Sequence, residues 1–138
     1  MEFETQEQAE KCLRKWQARL FLSDWIIVLK LVDSSEMSNA KHAGEIEPSY
    51  ENQSAVIYMA KANPDDVRNF IAKIVAEKTL VHELLHCKYM EPDITQYEAW
   101  YTSMRKHQLL EKMAKSLIMA EYGLSYEWFV NNRGDDDG

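Results

Sequence analysis

The chain has 138 residues, a length that suits a single domain able to bury a core without cross-links. Its hydrophobic fraction of 46%, with only four Gly and three Pro, indicates a compact and helix-rich protein rather than a disordered one. The net charge of −7 and the lack of a Lys/Arg cluster argue against binding to nucleic acid or to an anionic membrane surface.

Neither a secretion signal nor a membrane segment is visible in the sequence. The N-terminus lacks a basic start followed by an apolar run, and no apolar run approaches the length of a bilayer span. We therefore expect a cytoplasmic protein. Cys12 and Cys87 have neither metal-type spacing nor a disulfide framework, so both are expected to be reduced thiols.

The first predicted element is an amphipathic helix from Thr5 to Leu22. Its apolar residues recur at intervals of four, three and four positions, which places them on one helical face: Ala9, Leu13, Trp16 and Leu20. Thr5 suits the N-cap position, and Gln8 three residues later resembles the partner residue of a capping box.

Three extended segments follow and predict a small sheet with at least one free edge. The first, Trp25–Val32, is β-branched and aromatic, so we expect a strand that is buried on both faces for most of its length. A polar loop is predicted over residues 33–43. Gly44–Pro48 is expected to be a second strand, ended by Pro48, and Ser54–Met59 a third.

Two long helices are predicted in the second half of the chain. Asn63 and Pro64 are a favourable N-cap and first residue for a helix that runs to about Tyr89. After a break at residues 91–93, a further helix is expected from Ile94 to Tyr122, with Gly123 as its C-cap, and a short helix after residue 125. We expect one domain over residues 1–130 and a disordered acidic tail over residues 131–138.

The first long helix contains the pattern H-E-x-x-H at residues 82–86. Two residues four positions apart lie on the same side of a helix, so His82 and His86 can bind one metal ion with Glu83 beside them. Neutral imidazoles suit Zn²⁺, and a catalytic zinc site needs one further protein ligand and a water. Glu83 is the candidate general base that activates this water for attack on a carbonyl.

The third ligand is expected from the last long helix, which can fold back over the motif. Its candidates are Glu98, His107 and Glu111. His107 and Glu111 share one face with apolar residues, where an unpaired ionisable group would cost several kcal/mol. A metal site gives both residues a partner.

With its order of elements and this motif, the chain resembles the gluzincin zinc peptidases, and its small size resembles the single-domain minigluzincin form found in microbial and phage-type proteins. The resemblance covers roughly residues 25–117. Outside the motif it is a likeness in the pattern of elements and not in the identity of residues. It implies an α+β zincin-like fold, in which a small three-stranded sheet packs on the long motif helix, with an N-terminal helix and a second long C-terminal helix.

The resemblance also bears on the ligands. In thermolysin-like gluzincins a Glu ligand follows the second His along the chain. One helical turn later comes an outer acidic residue, which orients a ligand His. By spacing, His107 falls on the ligand position and Glu111 on the outer position, so this chain has His where the family has Glu. Two arrangements stay open: three His ligands with Glu111 behind them, or a His-His-Glu site with Glu111 moved inward. We prefer the first because ligand imidazoles usually donate their other N–H to an acceptor.

The expected function is zinc-dependent hydrolysis of peptide bonds in a peptide or protein substrate, by a protein that can act as a monomer. Zincins usually hold substrate along an edge strand, and Ala55–Met59 is the candidate strand here. His42, Tyr58, Tyr97 and Tyr101 are candidates for stabilising the carbonyl oxygen. The alternative is a catalytically inert zincin-like module that binds or regulates a partner protein, and the presence of Glu83 argues against it.

Overall fold

The computed structural model describes residues 3, 5–39, 42–61, 70–88 and 96–132, with the side chains of residues 34, 70–72 and 96–103 excepted. Within those residues the fold is α+β, with four α-helices and one three-stranded sheet. In chain order the elements are α1 (Gln6–Arg19), β1 (Ile26–Val32), a 3₁₀ turn (Ser34–Glu36), β2 (Gly44–Ser49), β3 (Ser54–Ala60), α2 (Phe70–Lys88), α3 (Gln96–Tyr122) and α4 (Tyr126–Asn131).

The N-terminal helix begins as its sequence predicts. The Thr5 side chain accepts a hydrogen bond from the Gln8 backbone N–H at 3.1 Å, which satisfies one of the free donors of the first turn. Helix α1 ends at Arg19, before the predicted Leu22. The predicted apolar stripe is buried at Ala9, Leu13 and Trp16, which pack α1 against the sheet and α2, whereas Leu20 lies just past the end of the helix and is only partly buried.

The strands lie in the order β1–β3–β2, so the third strand of the sequence is the central one. Strand β1 runs parallel to β3, and β2 runs antiparallel to it. The prediction that Ala55–Met59 is an edge strand is therefore wrong, because both sides of that segment already pair within the sheet. The edge that faces α2 belongs to β2, which packs directly against that helix.

One face of the sheet is covered and the other is open to solvent. In β1 the side chains of Ile27 and Leu29 are buried, whereas Ile26 is 71% exposed and Val28 is 48% exposed. The prediction of a strand buried on both faces is wrong for this reason: the helices cover only one face, so an apolar run alternates between core and solvent.

Pro48 lies inside β2 rather than ending it, since it stands opposite Ala55 in the antiparallel register and the strand continues to Ser49. An edge strand tolerates proline because one row of its N–H groups does not pair within the sheet. This correction follows from the same strand order as the correction for Ala55–Met59.

Helix α2 lies at the centre of the core. Its fully buried residues include Ile74, Leu80, Val81, Leu84 and Leu85. They pack against β3 through Ile57 and belong to one cluster with Leu110 and Ile118 of α3. The predicted helix start at Asn63 and Pro64, and the predicted break at residues 91–93, lie outside the described residues.

A buried carboxylate joins α1 to α2. Glu77 is 4% exposed and accepts hydrogen bonds from Lys15 Nζ at 2.7 Å and Cys12 Sγ at 3.2 Å. Burial by itself raises the pKa of Glu77, but the hydrogen bonds from Lys15, Tyr122 and Cys12 outweigh it and leave that pKa below its ordinary value. The ionised carboxylate therefore stabilises the packing of the two helices.

Helix α3 ends as predicted, whereas α4 includes Asn131, which was predicted to belong to the disordered tail. Gly123 has φ +65° just after α3, which is the left-handed conformation that favours glycine at a helix end. Ser125 caps α4, and Asn131 is the last residue of that helix. Residues 133–138 of the predicted tail lie outside the described residues. No helix in the described ranges combines the length and apolar character that crossing a membrane requires.

Candidate metal centre

Three histidines from two helices converge at one point. His82 and His86 come from α2 and His107 comes from α3, and one ring nitrogen of each lies within 4.8 Å of those of the other two. The ring centroids are 5.2 Å apart for His82 and His86, 4.6 Å for His82 and His107, and 5.3 Å for His86 and His107. All three residues were predicted metal ligands.

The packing of α3 on α2 brings the histidines together. His82 and His86 share a side of α2 because they are one helical turn apart. Leu110 and Ala114 of α3 are fully buried, and His107 lies on their side of that helix. His82 is fully buried and His107 is partly exposed, so the three rings extend from the core to the surface.

Glu111 contacts His82 from outside the cluster of three histidines. Its Oε1 atom lies 3.0 Å from His82 Nδ1, so a proton on Nδ1 is donated to the carboxylate. This hydrogen bond leaves Nε2 as the ring nitrogen of His82 that is available to a metal. Among the described residues, the group with suitable ligand spacing contains the three histidines and not Glu111.

Lys78 is a contact of this site that the sequence analysis missed. Its side chain is 5% exposed and its Nζ lies 3.1 Å from Glu111 Oε2 and 3.4 Å from Oε1. A sequence signal exists, since Lys78 precedes His82 by one helical turn within a run of buried residues. A lysine at such a position needs an anionic partner.

Glu83 is fully buried and lies against the start of β2. A Cβ atom placed on Gly44 would lie 3.3 Å from Glu83 Oε2, 3.1 Å from Met59 Sδ and 2.8 Å from Thr79 Cγ2. Only a residue without a side chain allows β2 to approach α2 this closely. The candidate base therefore lies between its own helix and the edge strand of the sheet.

The other predicted site residues are not brought to the histidines by any described contact. Tyr58 lies on the solvent face of the sheet, with its hydroxyl 3.5 Å from Glu47 Oε2 and Lys30 near its ring. His42 lies two residues before Gly44, and its Nδ1 atom is 3.2 Å from Glu45 Oε2. Three candidates belong to α3 with side chains outside the described residues: Tyr97, Glu98 and Tyr101.

Cys87 does not join the site, although it follows His86 directly. It is 5% exposed and unpaired with any other cysteine. Burial, with a smaller contribution from the nearby Glu83 charge, raises the pKa of Cys87 to about 12. The side chain is therefore a neutral thiol that packs in the core, as the sequence analysis expected.

No protein-family model matches the chain, and no curated protein or solved structure matches it either. The interpretation of the site therefore rests on its geometry. Three imidazole nitrogens within 4.8 Å of one another can approach one metal ion through small ring rotations. Zinc–nitrogen bonds are about 2.0–2.1 Å long, so nitrogens bound tetrahedrally to one zinc lie roughly 3.4 Å apart. The residues present fit a three-histidine metal site.

Proposed function

We propose that this protein is a zinc-dependent peptidase with a minimal zincin-like, gluzincin-related fold. One observation carries the proposal: His82, His86 and His107 each offer a ring nitrogen within 4.8 Å of the other two, and Glu83 follows the first of them on the same helix. Three protein ligands leave a fourth position of a tetrahedral ion for water or substrate, which distinguishes catalytic zinc sites from closed structural ones.

The metal and Glu83 have separate roles in the proposed hydrolysis. Zn²⁺, when bound, polarises a carbonyl as a Lewis acid and makes a water molecule acidic near neutral pH. Glu83 accepts the proton of the attacking water and delivers it to the amine nitrogen as the peptide bond breaks. The full burial of Glu83 excludes competing solvent from the proton transfer.

Glu111 acts on the ligand His82 rather than on the substrate. Its hydrogen bond to Nδ1 at 3.0 Å fixes the ring orientation and the position of the imidazole proton. Outer partners of this kind typically change metal affinity by 10–100-fold. This contact supports the arrangement with three histidine ligands over the one in which Glu111 moves inward.

The edge of the sheet suggests how a peptide is held. Strand β2 is the edge strand that packs on α2, and a Cβ atom added to its first residue, Gly44, would lie 3.3 Å from Glu83 Oε2. An extended peptide that adds to β2 by backbone hydrogen bonds would pass beside Glu83. We therefore propose β2, in place of Ala55–Met59, as the substrate-binding strand.

The test is hydrolysis of an unfolded protein, such as reduced and alkylated casein, by the zinc-loaded chain. The proposal predicts cleavage that a chelator abolishes and added zinc restores, and that is lost in His107→Ala. The exposed residue Glu127 provides a control, since Glu127→Gln should cleave like the wild type. Stoichiometric zinc binding without cleavage of any unfolded protein or peptide library would instead favour the inert zincin-like binding module.

A further inference from the structure

Lys78 is a buried cation one helical turn before a metal-ligand candidate. Its side chain is 5% exposed, and an ammonium group at that depth costs several kcal/mol unless an anion compensates it. The anion is Glu111, with Nζ 3.1 Å from Oε2. The proposed peptidase reaction gives this lysine no role, yet it contacts the same carboxylate that contacts His82.

Both oxygens of Glu111 contact Lys78, and each contacts a further side chain. Oε1 lies 3.0 Å from His82 Nδ1 and 3.4 Å from Lys78 Nζ, while Oε2 lies 3.1 Å from Lys78 Nζ and 3.6 Å from Lys115 Nζ. The two lysines differ in environment, because the Lys115 side chain is 38% exposed and the Lys78 side chain 5%. An exposed ion pair is weak, so Lys78 is the main anchor of Oε2.

The position of Glu111 decides which ligand set a metal would meet. The carboxylate is one helical turn from His107 and 3.0 Å from His82, so it is an acid that could become a further ligand. If it did, the carboxylate would occupy the fourth position, and a bound water would then make the site five-coordinate. A cation that holds Oε2 opposes this movement, because the carboxylate would have to leave both Lys78 and His82.

We propose that Lys78 is a positioning residue that holds Glu111 behind His82 and so preserves a three-histidine site with an open fourth position. The inference rests on the metal site of the proposed function. It assigns Lys78 to the choice of ligand set rather than to contact with substrate. It predicts that loss of the Lys78 charge admits Glu111 to the metal.

The experiment uses Co²⁺ in place of Zn²⁺, because the visible absorption of Co²⁺ reports its coordination number and geometry. Wild type should give the intense bands of a four-coordinate site. Lys78→Met, which keeps an unbranched side chain one atom shorter and removes its charge, should give the weaker bands of a higher-coordinate site. Lys115→Met removes a charge from the same oxygen at an exposed position and should keep the wild-type spectrum.

The double variant shows whether Lys78 acts through Glu111. Lys78→Met in a Glu111→Gln background should return to the four-coordinate spectrum, since no carboxylate remains to bind. Glu111→Gln alone should also stay four-coordinate. A change of coordination number in Glu111→Gln would mean that Glu111 is already a ligand, and would overturn the inference even if Lys78→Met did not fold.

The outcomes separate this inference from the proposed function. A four-coordinate spectrum shared by wild type and a folded Lys78→Met overturns the role of Lys78 and leaves the metal site intact. The inference is also overturned if Lys78→Met weakens the Co²⁺ absorption equally in the wild-type and Glu111→Gln backgrounds. Lys78 would then affect the metal by a route that does not involve the Glu111 carboxylate. Failure of the wild type to bind Co²⁺ or Zn²⁺ overturns both.

Discussion

His82 Nδ1 lies 3.0 Å from Glu111 Oε1, a contact between residues 29 positions apart that joins α2 to α3. The sequence left open whether Glu111 is a metal ligand or a partner of one. The contact places the carboxylate on the outer side of the ring, with Nε2 left for a metal. It also makes the orientation of His82 depend on a residue of the other helix.

Glu111→Gln should weaken zinc binding by about 10–100-fold without abolishing it, because the amide oxygen can still accept from His82 Nδ1 but carries no charge. His107→Ala should remove binding at the site, since it deletes a ligand. Competition titration with a chromophoric chelator measures both affinities. Equal loss of affinity in the two variants would mean that Glu111 is itself a ligand.

Glu83→Gln should retain one equivalent of zinc, and its rate of hydrolysis should be lower than that of the wild type by a factor of about 10²–10⁴, the usual contribution of a general base. The amide is nearly the same size as the carboxylate, so the fully buried site is not reshaped. Zinc content and initial cleavage rates are measured on the same preparation. Hydrolysis at the wild-type rate by zinc-loaded Glu83→Gln would remove Glu83 from the mechanism.

Gly44→Ala should destabilise the protein by about 1–3 kcal/mol, because the added methyl group would lie 2.8 Å from Thr79 Cγ2 and 3.1 Å from Met59 Sδ. Thr79→Ser removes that methyl group and keeps the hydroxyl, which bonds to the Val75 carbonyl oxygen at 3.1 Å. Urea unfolding of the single and double variants should show that Thr79→Ser recovers part of the loss. Additive losses would mean that the strand and helix are not closely packed at this point.

The buried Glu77 should make the stability of the fold depend on pH in the acidic range. Its folded-state pKa is lowered, so the unfolded chain takes up the proton first as the pH falls. Glu77 therefore makes its full contribution to the free energy of unfolding above the ordinary glutamate pKa of about 4.3. That contribution is lost as the pH falls below this value.

The matched comparison for this effect is Glu77→Gln, which cannot titrate. At neutral pH it should be less stable than wild type by about 1–3 kcal/mol, because Lys15 loses a charged partner. The difference between the two proteins should shrink as the pH falls from 5 to 3. A difference that stays constant over this range would show that Glu77 does not ionise differently in the two states.

Local chemistry made the helices predictable. The Thr5 cap, the α1 stripe and Gly123 are decided by residues within a few positions of one another, and all three predictions are confirmed. The convergence of the three histidines was also predictable, because H-E-x-x-H fixes two of them on one helix. The apolar face of α3 indicated where the third would lie.

The strand order and the role of Lys78 depend on contacts between distant residues, and for that reason sequence reasoning missed them. Nothing within Ala55–Met59 reveals that β1 will pair on one side and β2 on the other. The burial of Lys78 depends on Glu111, 33 positions later. A lysine one turn before a predicted ligand, inside a buried run, is the signal that could have found it.

The most direct test of the three-histidine metal site is the zinc content of the purified chain after reconstitution and removal of excess metal, measured by elemental analysis beside His82→Ala, His86→Ala and His107→Ala. We predict one zinc ion per wild-type chain and far less than one in each variant, with all four proteins folded by circular dichroism. A wild-type chain that holds no zinc, or variants that hold as much as the wild type, would contradict the metal site and the peptidase proposed from it.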